Sequence, residues 1–211
     1  MSNPSEIQAS ASPILPAGAY RYELRRAGAV LATENARLAV GVLEAERVSA
    51  DSMSRLAVEA ALDATGSVSH ISLRYVANLF KRNATYEADG ENFRGSVSAM
   101  AGRNEIVIKL GRFHEVEVSG LVLFRALIVA RLRARGQSRW TGRVAVIDSS
   151  TLVAASLKQN CRSDGDDGLR WLYEPRMGDA EEIELDDAGR IVRRRDDRGT
   201  EAVLLAFTPA P

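Results

Sequence analysis

Over most of its length the chain alternates apolar with polar residues and then breaks at a cluster of Gly, Asp, Asn or Ser. Side chains of a strand point to opposite faces with period two, so this pattern predicts antiparallel strands with one apolar and one polar face. In YRYELRR, Tyr20, Tyr22 and Leu24 share one face while Arg21, Glu23 and Arg25 share the other. The same reading covers Leu38, Val40 and Val42, then Leu56, Val58, Ala60 and Leu62, then Ile71, Leu73 and Tyr75. NFRGSVSAM and EIVIKLG, separated by AGRNE, read as a hairpin, and RWTGRVAVID sets Trp140, Val144 and Val146 on one side. TLVAASLKQNCR, GLRWLYEPR, EEIELDDAGRIVRRR and EAVLLAF supply the last strands, with Gly189 in a turn that suits positive φ. The expectation is a mainly β fold of about ten or eleven strands in a single curved antiparallel sheet, a half-barrel or open barrel.

One segment departs from the pattern. In SGLVLFRALIVARLRARGQS, the apolar run from Leu121 to Ala130 already contains Arg125 and then meets Arg131. That is far short of the roughly 20 apolar residues that cross a bilayer, so no membrane insertion is expected. As a strand it would place Val122, Phe124, Ala126, Ile128, Ala130 and Leu132 on one face and the arginines on the other. Against the strand stand its Leu, Ala and Arg content, Ser119 at an N-cap position, cations in the last turn and Gly136 at C′. We read it as a single central helix near 120–135 that fills or walls the hollow of the sheet.

The remaining segments are short. Residues 1–17 have neither the basic nor the apolar region of a secretory signal and read as a flexible leader, which points to the cytoplasm. One β domain is expected over 18–207, with a tail at 208–211. The 28 basic and 28 acidic residues cancel, so no global field draws the chain to nucleic acid or anionic lipid. The single cysteine, Cys161, excludes an internal disulfide and reads as a buried inert thiol.

YRYELRRAGAVLA (20–32) and VSGLVLFRALIVARLRARGQS (118–138) resemble a first strand with its turn and the serine-capped helix with its Gly-Gln step in the bacterial lipoprotein-localisation-factor superfamily and its uncharacterised relatives. The resemblance implies a strongly curved sheet around a central helix, with a lipophilic ligand in the concavity. It departs from that family in the leader, which does not read as an export signal.

Catalytic signatures are absent: the chain has no G-x-S-x-G, P-loop, G-x-G-x-x-G or H-E-x-x-H motif. With two histidines and one cysteine, neither a metal nor any other cofactor is expected. DGDDG at 164–168 fails as a calcium loop because its twelfth position is Pro175. IVRRRDDRGTE balances its own charge and lacks interleaved aromatics, so it reads as a solvated face rather than a nucleic-acid patch.

Three polar residues share strand parity with apolar neighbours: Glu44, His114 and Asp148. A carboxylate raised in pKa by such a setting could serve as general acid or base, with His114 as its complement. Tyr22, Tyr75, Trp140, Trp171 and Tyr173 lie at apolar parity and Phe124 on the helix. They are core in a closed structure and ligand wall in an open one. Two functions follow: a binding protein for a small lipophilic molecule, or a cofactor-independent cyclase, isomerase or lyase in the same cavity. The oligomeric state is not legible in the sequence.

Overall fold

Among the described residues fifteen strands form one sheet, and it is rolled around a single helix. The computed structural model describes residues 14–100, 102–111, 115–165, 167–176 and 178–211. The first eight strands are β1 (Gly18–Arg26), β2 (Ala29–Ala39), β3 (Val42–Ser49), β4 (Ser54–Leu62), β5 (Val68–Ala77), β6 (Phe80–Asp89), β7 (Asn92–Ala99) and β8 (Gly102–Lys109). Then come β9 (Glu115–Val118), the helix α1 (Val122–Ala134), β10 (Arg139–Ile147), β11 (Ala154–Ser163), β12 (Arg170–Pro175), β13 (Glu181–Leu185), β14 (Ile191–Asp196) and β15 (Thr200–Pro209).

The strand count exceeds the ten or eleven expected because tight turns lie inside runs that look continuous in the sequence. LAVGV reads as one alternating strand, yet β2 ends at Ala39 and β3 begins at Val42, with Gly41 at φ 73° between them. Leu38 and Leu43 therefore share the buried face, while Val40 is 94% exposed.

Strand order is β8-β7-β6-β5-β4-β3-β2-β1-β15-β14-β13-β12-β11-β10-β9. Each half is an antiparallel meander, and β1 joins the halves by pairing with β15 from Gly18↔Pro209 to Arg26↔Thr200. Only β9 and β10 are parallel, because the chain crosses between them through α1. The inner face carries Tyr22 of β1, Leu43 of β3, Ile71 of β5, Phe93 of β7, Tyr173 of β12 and Ile183 of β13, all buried.

The two ends of the sheet, β8 and β9, do not pair. Instead β8 comes against β11, and the Tyr86 hydroxyl of β6 donates to the Leu152 carbonyl at 2.7 Å and accepts the Ala154 N–H at 3.2 Å. The β6–β8 end thus laps over the β9–β11 end. All four residues of β9 are buried, because Glu115 and Glu117 turn toward α1 while Val116 and Val118 face the other way, under the overlap.

Every residue of α1 from Val122 to Leu132 is buried, which is the environment of a helix enclosed on all sides. Its end follows the sequence: Gly136 at φ 64° donates to the Arg133 carbonyl and Gln137 to Leu132, the paired bonds of a Schellman stop. Its start does not, for the cap position is Leu121 with no side-chain cap, and Ser119 lies two residues too early. Seven large apolar side chains of α1 are buried (Val122, Leu123, Phe124, Leu127, Ile128, Val129 and Leu132). At about 2 kcal/mol each they supply most of its docking energy. Burying Arg125 and Arg131 opposes this by several kcal/mol per ion unless each is paired, and each is. Among the described residues no helix is long and apolar enough to cross a membrane.

Candidate functional site

Two polar regions stand out, one inside the roll and one on its outer face. Inside, the Glu34 carboxylate of β2 accepts the Val122 N–H at 2.8 Å and the Leu123 N–H at 3.2 Å. It supplies from a strand the cap that α1 lacks, with a negative charge at the positive end of the helix. Burial raises the Glu34 carboxyl, while the Val122 N–H and the nearby Arg194 and Arg47 oppose that rise. Deeper in, Arg125 grips Glu117 with two N–H···O bonds of 2.6 Å, reaches Glu181 at 3.0 Å and lies 3.4 Å above the centre of the Tyr173 ring. The Tyr173 hydroxyl donates to Glu117 at 3.2 Å.

The Arg125 environment is decided by its two carboxylates: burial lowers the guanidinium's proton affinity, and Glu117 and Glu181 more than restore it. Glu117 is raised by burial, against the pull of Arg125. Nearly two turns further along, Arg131 pairs with Glu115, whose carboxyl burial pushes up to about 7 despite that partner. Glu34, Glu117 and Glu181 thus balance Arg47, Arg125 and Arg194. Glu34, Glu117, Arg125 and Arg194 are buried and Arg47 and Glu181 partly so, and the chemistry of the network is to hold α1 in one position and rotation. Sequence reasoning missed these residues because Glu115 and Glu117 sit where alternation predicts a solvent face, while Glu34, at the parity of Ala36 and Leu38, was not singled out. The available signal was Arg125 and Arg131, which cannot be buried in an apolar helix without acidic partners.

Outside, the face of β15 and β1–β6 forms an open groove of about 910 Å³. Its walls carry Arg21, Arg37, Arg74, Glu44, Glu46 and Glu59, and its floor the small side chains of Ala19, Ala57 and Ala206. Register brings them together: Arg37 lies across from Glu44, Glu44 across from Glu59, and Ala57 across from Arg74. Elsewhere on this surface Arg25 pairs with Glu23, Arg55 with Glu46 and Arg94 with Asp89. In the groove Arg21, Arg37, Arg74, Glu44 and Glu59 make no ion pair or hydrogen bond with another described side chain.

The expected site residues are scattered. Tyr22, Phe124, Trp171 and Tyr173 are buried core, and α1 occupies the hollow that they were expected to line. Tyr75 and Trp140 are half-buried, with the Trp140 ring lying against Gly142, where no Cβ would fit. Glu44 is exposed on the outer face, because the turn at 40–41 reverses the parity on which its inward placement rested. Asp148 accepts from the Ser150 and Thr151 N–H and hydroxyl groups in the β10–β11 turn. Partial burial works to raise the Asp148 carboxyl, but those donors outweigh it and hold it below the usual range, unlike a base poised near neutrality. His114 lies outside the described residues. Glu44 thus lies on the outer face of β3 and Asp148 in the β10–β11 turn. Among the described residues no three His, Cys, Asp or Glu side chains group to hold a metal.

The architecture, a rolled antiparallel sheet with one enclosed helix, is that of barrel-like proteins. Two solved structures share it: a DUF1089-family protein from Pseudomonas aeruginosa, at TM-score 0.59 and 19% identity over 80% of this chain and 90% of that one, and the β-barrel-like protein of domain of unknown function DUF1849 from Brucella abortus, at TM-score 0.59 and 10% identity over 95% of this chain and all of that one. No protein-family model and no curated protein matches the sequence. Neither structure is described as a lipoprotein-localisation factor, so what these comparisons establish is the barrel-like fold.

Proposed function

We propose that the protein is a small-molecule binding protein rather than an enzyme, and that its ligand lies in the groove across β15 and β1–β6. The observation that carries this reading is the set of five unpaired charged side chains facing one concavity. Arg21, Arg37 and Arg74 suit an anionic group such as a carboxylate or phosphate, which guanidinium recognises through paired N–H donors. Glu44 and Glu59 suit hydroxyl or amine donors. The alanine floor lets a flat or extended lipophilic portion lie against it, so the ligand class is amphiphilic. A groove of this volume lies within the range of small-ligand sites. Glu44 serves here as a ligand contact.

Native mass spectrometry of the protein purified from its own host tests the reading. The wild type is expected to carry a ligand of defined mass, and the double variant Arg37→Ala, Arg74→Ala to lose it. A wild type that carries nothing, or a variant that keeps the same mass, ends the proposal.

A further inference from the structure

The hairpin turns β1–β2, β3–β4, β5–β6 and β7–β8 lie at the same end of the strands, because each joins consecutive members of one meander. This rim carries four large apolar side chains that are more than half exposed: Leu79 is 91% exposed, Met100 86%, Phe80 64% and Met53 53%. Turn apices ordinarily take Gly, Asn, Asp or Ser, whereas Leu79 stands almost fully exposed at the β5–β6 apex. Among the described residues the large exposed apolar side chains of the opposite rim, at the turns β2–β3, β4–β5 and β6–β7, are Val40 and Val42.

The two rims also differ in charge. Within three residues of the apolar turns lie Arg25, Arg26, Arg55, Lys81, Arg82 and Arg103, against the single exposed acid Asp51, which is held by the Ser49 hydroxyl and the Met53 N–H. Arg25 and Arg55 share their charge with Glu23 and Glu46, while Arg26, Lys81 and Arg103 are exposed without an ion pair among the described residues. The other rim carries Glu44, Asp63, Glu87, Asp89 and Glu91 with Arg37, Arg94 and Lys109. Over the first meander the two sets of turns thus differ in charge, while the second meander's turns at the Arg26 end add Asp148, Asp179, Asp196 and Asp197 with Arg176 and Arg198.

We propose that the rim formed by Met53, Leu79, Phe80 and Met100 docks on an anionic lipid bilayer surface, with the apolar turns entering the headgroup region and the flanking cations meeting lipid phosphates. The apolar residues stand on separate prongs two strands apart, about 10 Å at ordinary strand spacing. Separate prongs make a poor match to the continuous, closely packed core of a protein interface, whereas a fluid surface closes around each one. Basic residues beside the prongs supply attraction that falls off within a Debye length, so docking is peripheral and salt-dependent. The proposal stands apart from the groove, whose walls belong to the outer face of the sheet.

Vesicle co-sedimentation of the full chain tests it. Wild type is expected to bind vesicles with about 30% phosphatidylglycerol at least tenfold better than pure phosphatidylcholine, and to be released by about 0.5 M salt. Leu79→Ser with Phe80→Ser, and separately Lys81→Glu with Arg103→Glu, should each weaken binding about tenfold or more, while Val40→Ser on the opposite rim changes nothing. Equal binding to both vesicle types, no binding, or full binding by the rim variants would overturn the proposal. So would a concentration-dependent dimer, seen by light scattering in wild type and abolished by Leu79→Ser with Phe80→Ser, since the rim would then belong to a second copy of the chain. Circular dichroism and urea midpoints of the variants, expected to match wild type, separate lost docking from lost folding.

Discussion

Glu34 on β2 caps the first turn of a helix that begins 88 residues later, its carboxylate 2.8 Å from the Val122 N–H. That contact links the middle of the first meander to the element around which the second is wrapped. It also gives Arg47 and Arg194 their counter-charge. Replacing Glu34 by Ala leaves two helix N–H groups and two cations short of a partner. We expect a loss of about 3 kcal/mol, read as a lower urea midpoint at unchanged slope. Glu34→Gln keeps an acceptor but not the charge and should lose roughly half of that. A midpoint for Glu34→Ala within error of wild type would remove the capping role.

The Arg125 cluster predicts a difference between two cations. Arg125→Lys retains charge but has neither the fork that holds Glu117 nor the plane that lies on Tyr173. Arg125→Met leaves Glu117 and Glu181 buried without their cation and should destabilise by about 3–5 kcal/mol. Lysine should recover less than half of this. Adding Glu117→Gln to Arg125→Met should recover part of the loss, because it removes one uncompensated charge. Additive effects in that double-mutant cycle would mean that the two side chains are not coupled in solution.

Cys161 offers a probe of opening. Burial pushes its thiol up to about 12, with Arg125 pulling the other way, so almost no thiolate exists near neutral pH. A disulfide reagent should therefore react only as fast as the roll opens, with the rate rising sharply through the urea transition. Prompt stoichiometric reaction in native buffer would contradict the packing of β11 against β12.

How far this structure could be read from its sequence depends on which residues carry the signal. Tyr20, Tyr22 and Leu24 obey strand parity, and Gly136 stops the helix where its conformation predicts. Alternation is local, so it registers such features well. The turn at Val40 and Gly41 was invisible because a two-residue turn between apolar residues leaves the alternation looking intact, and Glu44 was misplaced with it. Glu115 and Glu117 were hidden for a different reason. Their burial follows from the packing of β9 against α1, a tertiary contact that no local period encodes. The outer groove is harder still to read, since Arg37, Glu44 and Arg74 come together through the registers of successive hairpins rather than through spacing.

Glu115 gives the last prediction, because burial sets its carboxyl at about 7 in the folded chain against an ordinary value of 4.5. Between those values the folded state holds a proton that the unfolded state has released. The folded state therefore binds more protons, and the unfolding free energy must fall as pH rises through that window. The change amounts to at most about 3 kcal/mol at about 1.4 kcal/mol per pH unit. Glu115→Gln cannot ionise, yet its amide oxygen can still accept from Arg131. The variant should match wild type near the acid end of the window and exceed it in stability near pH 8, with the difference growing between the two. Urea denaturation of both proteins at four or so pH values across this range measures the difference directly. A gap that stays constant from end to end would show that Glu115 is ionised throughout, and that Arg131 outweighs its desolvation.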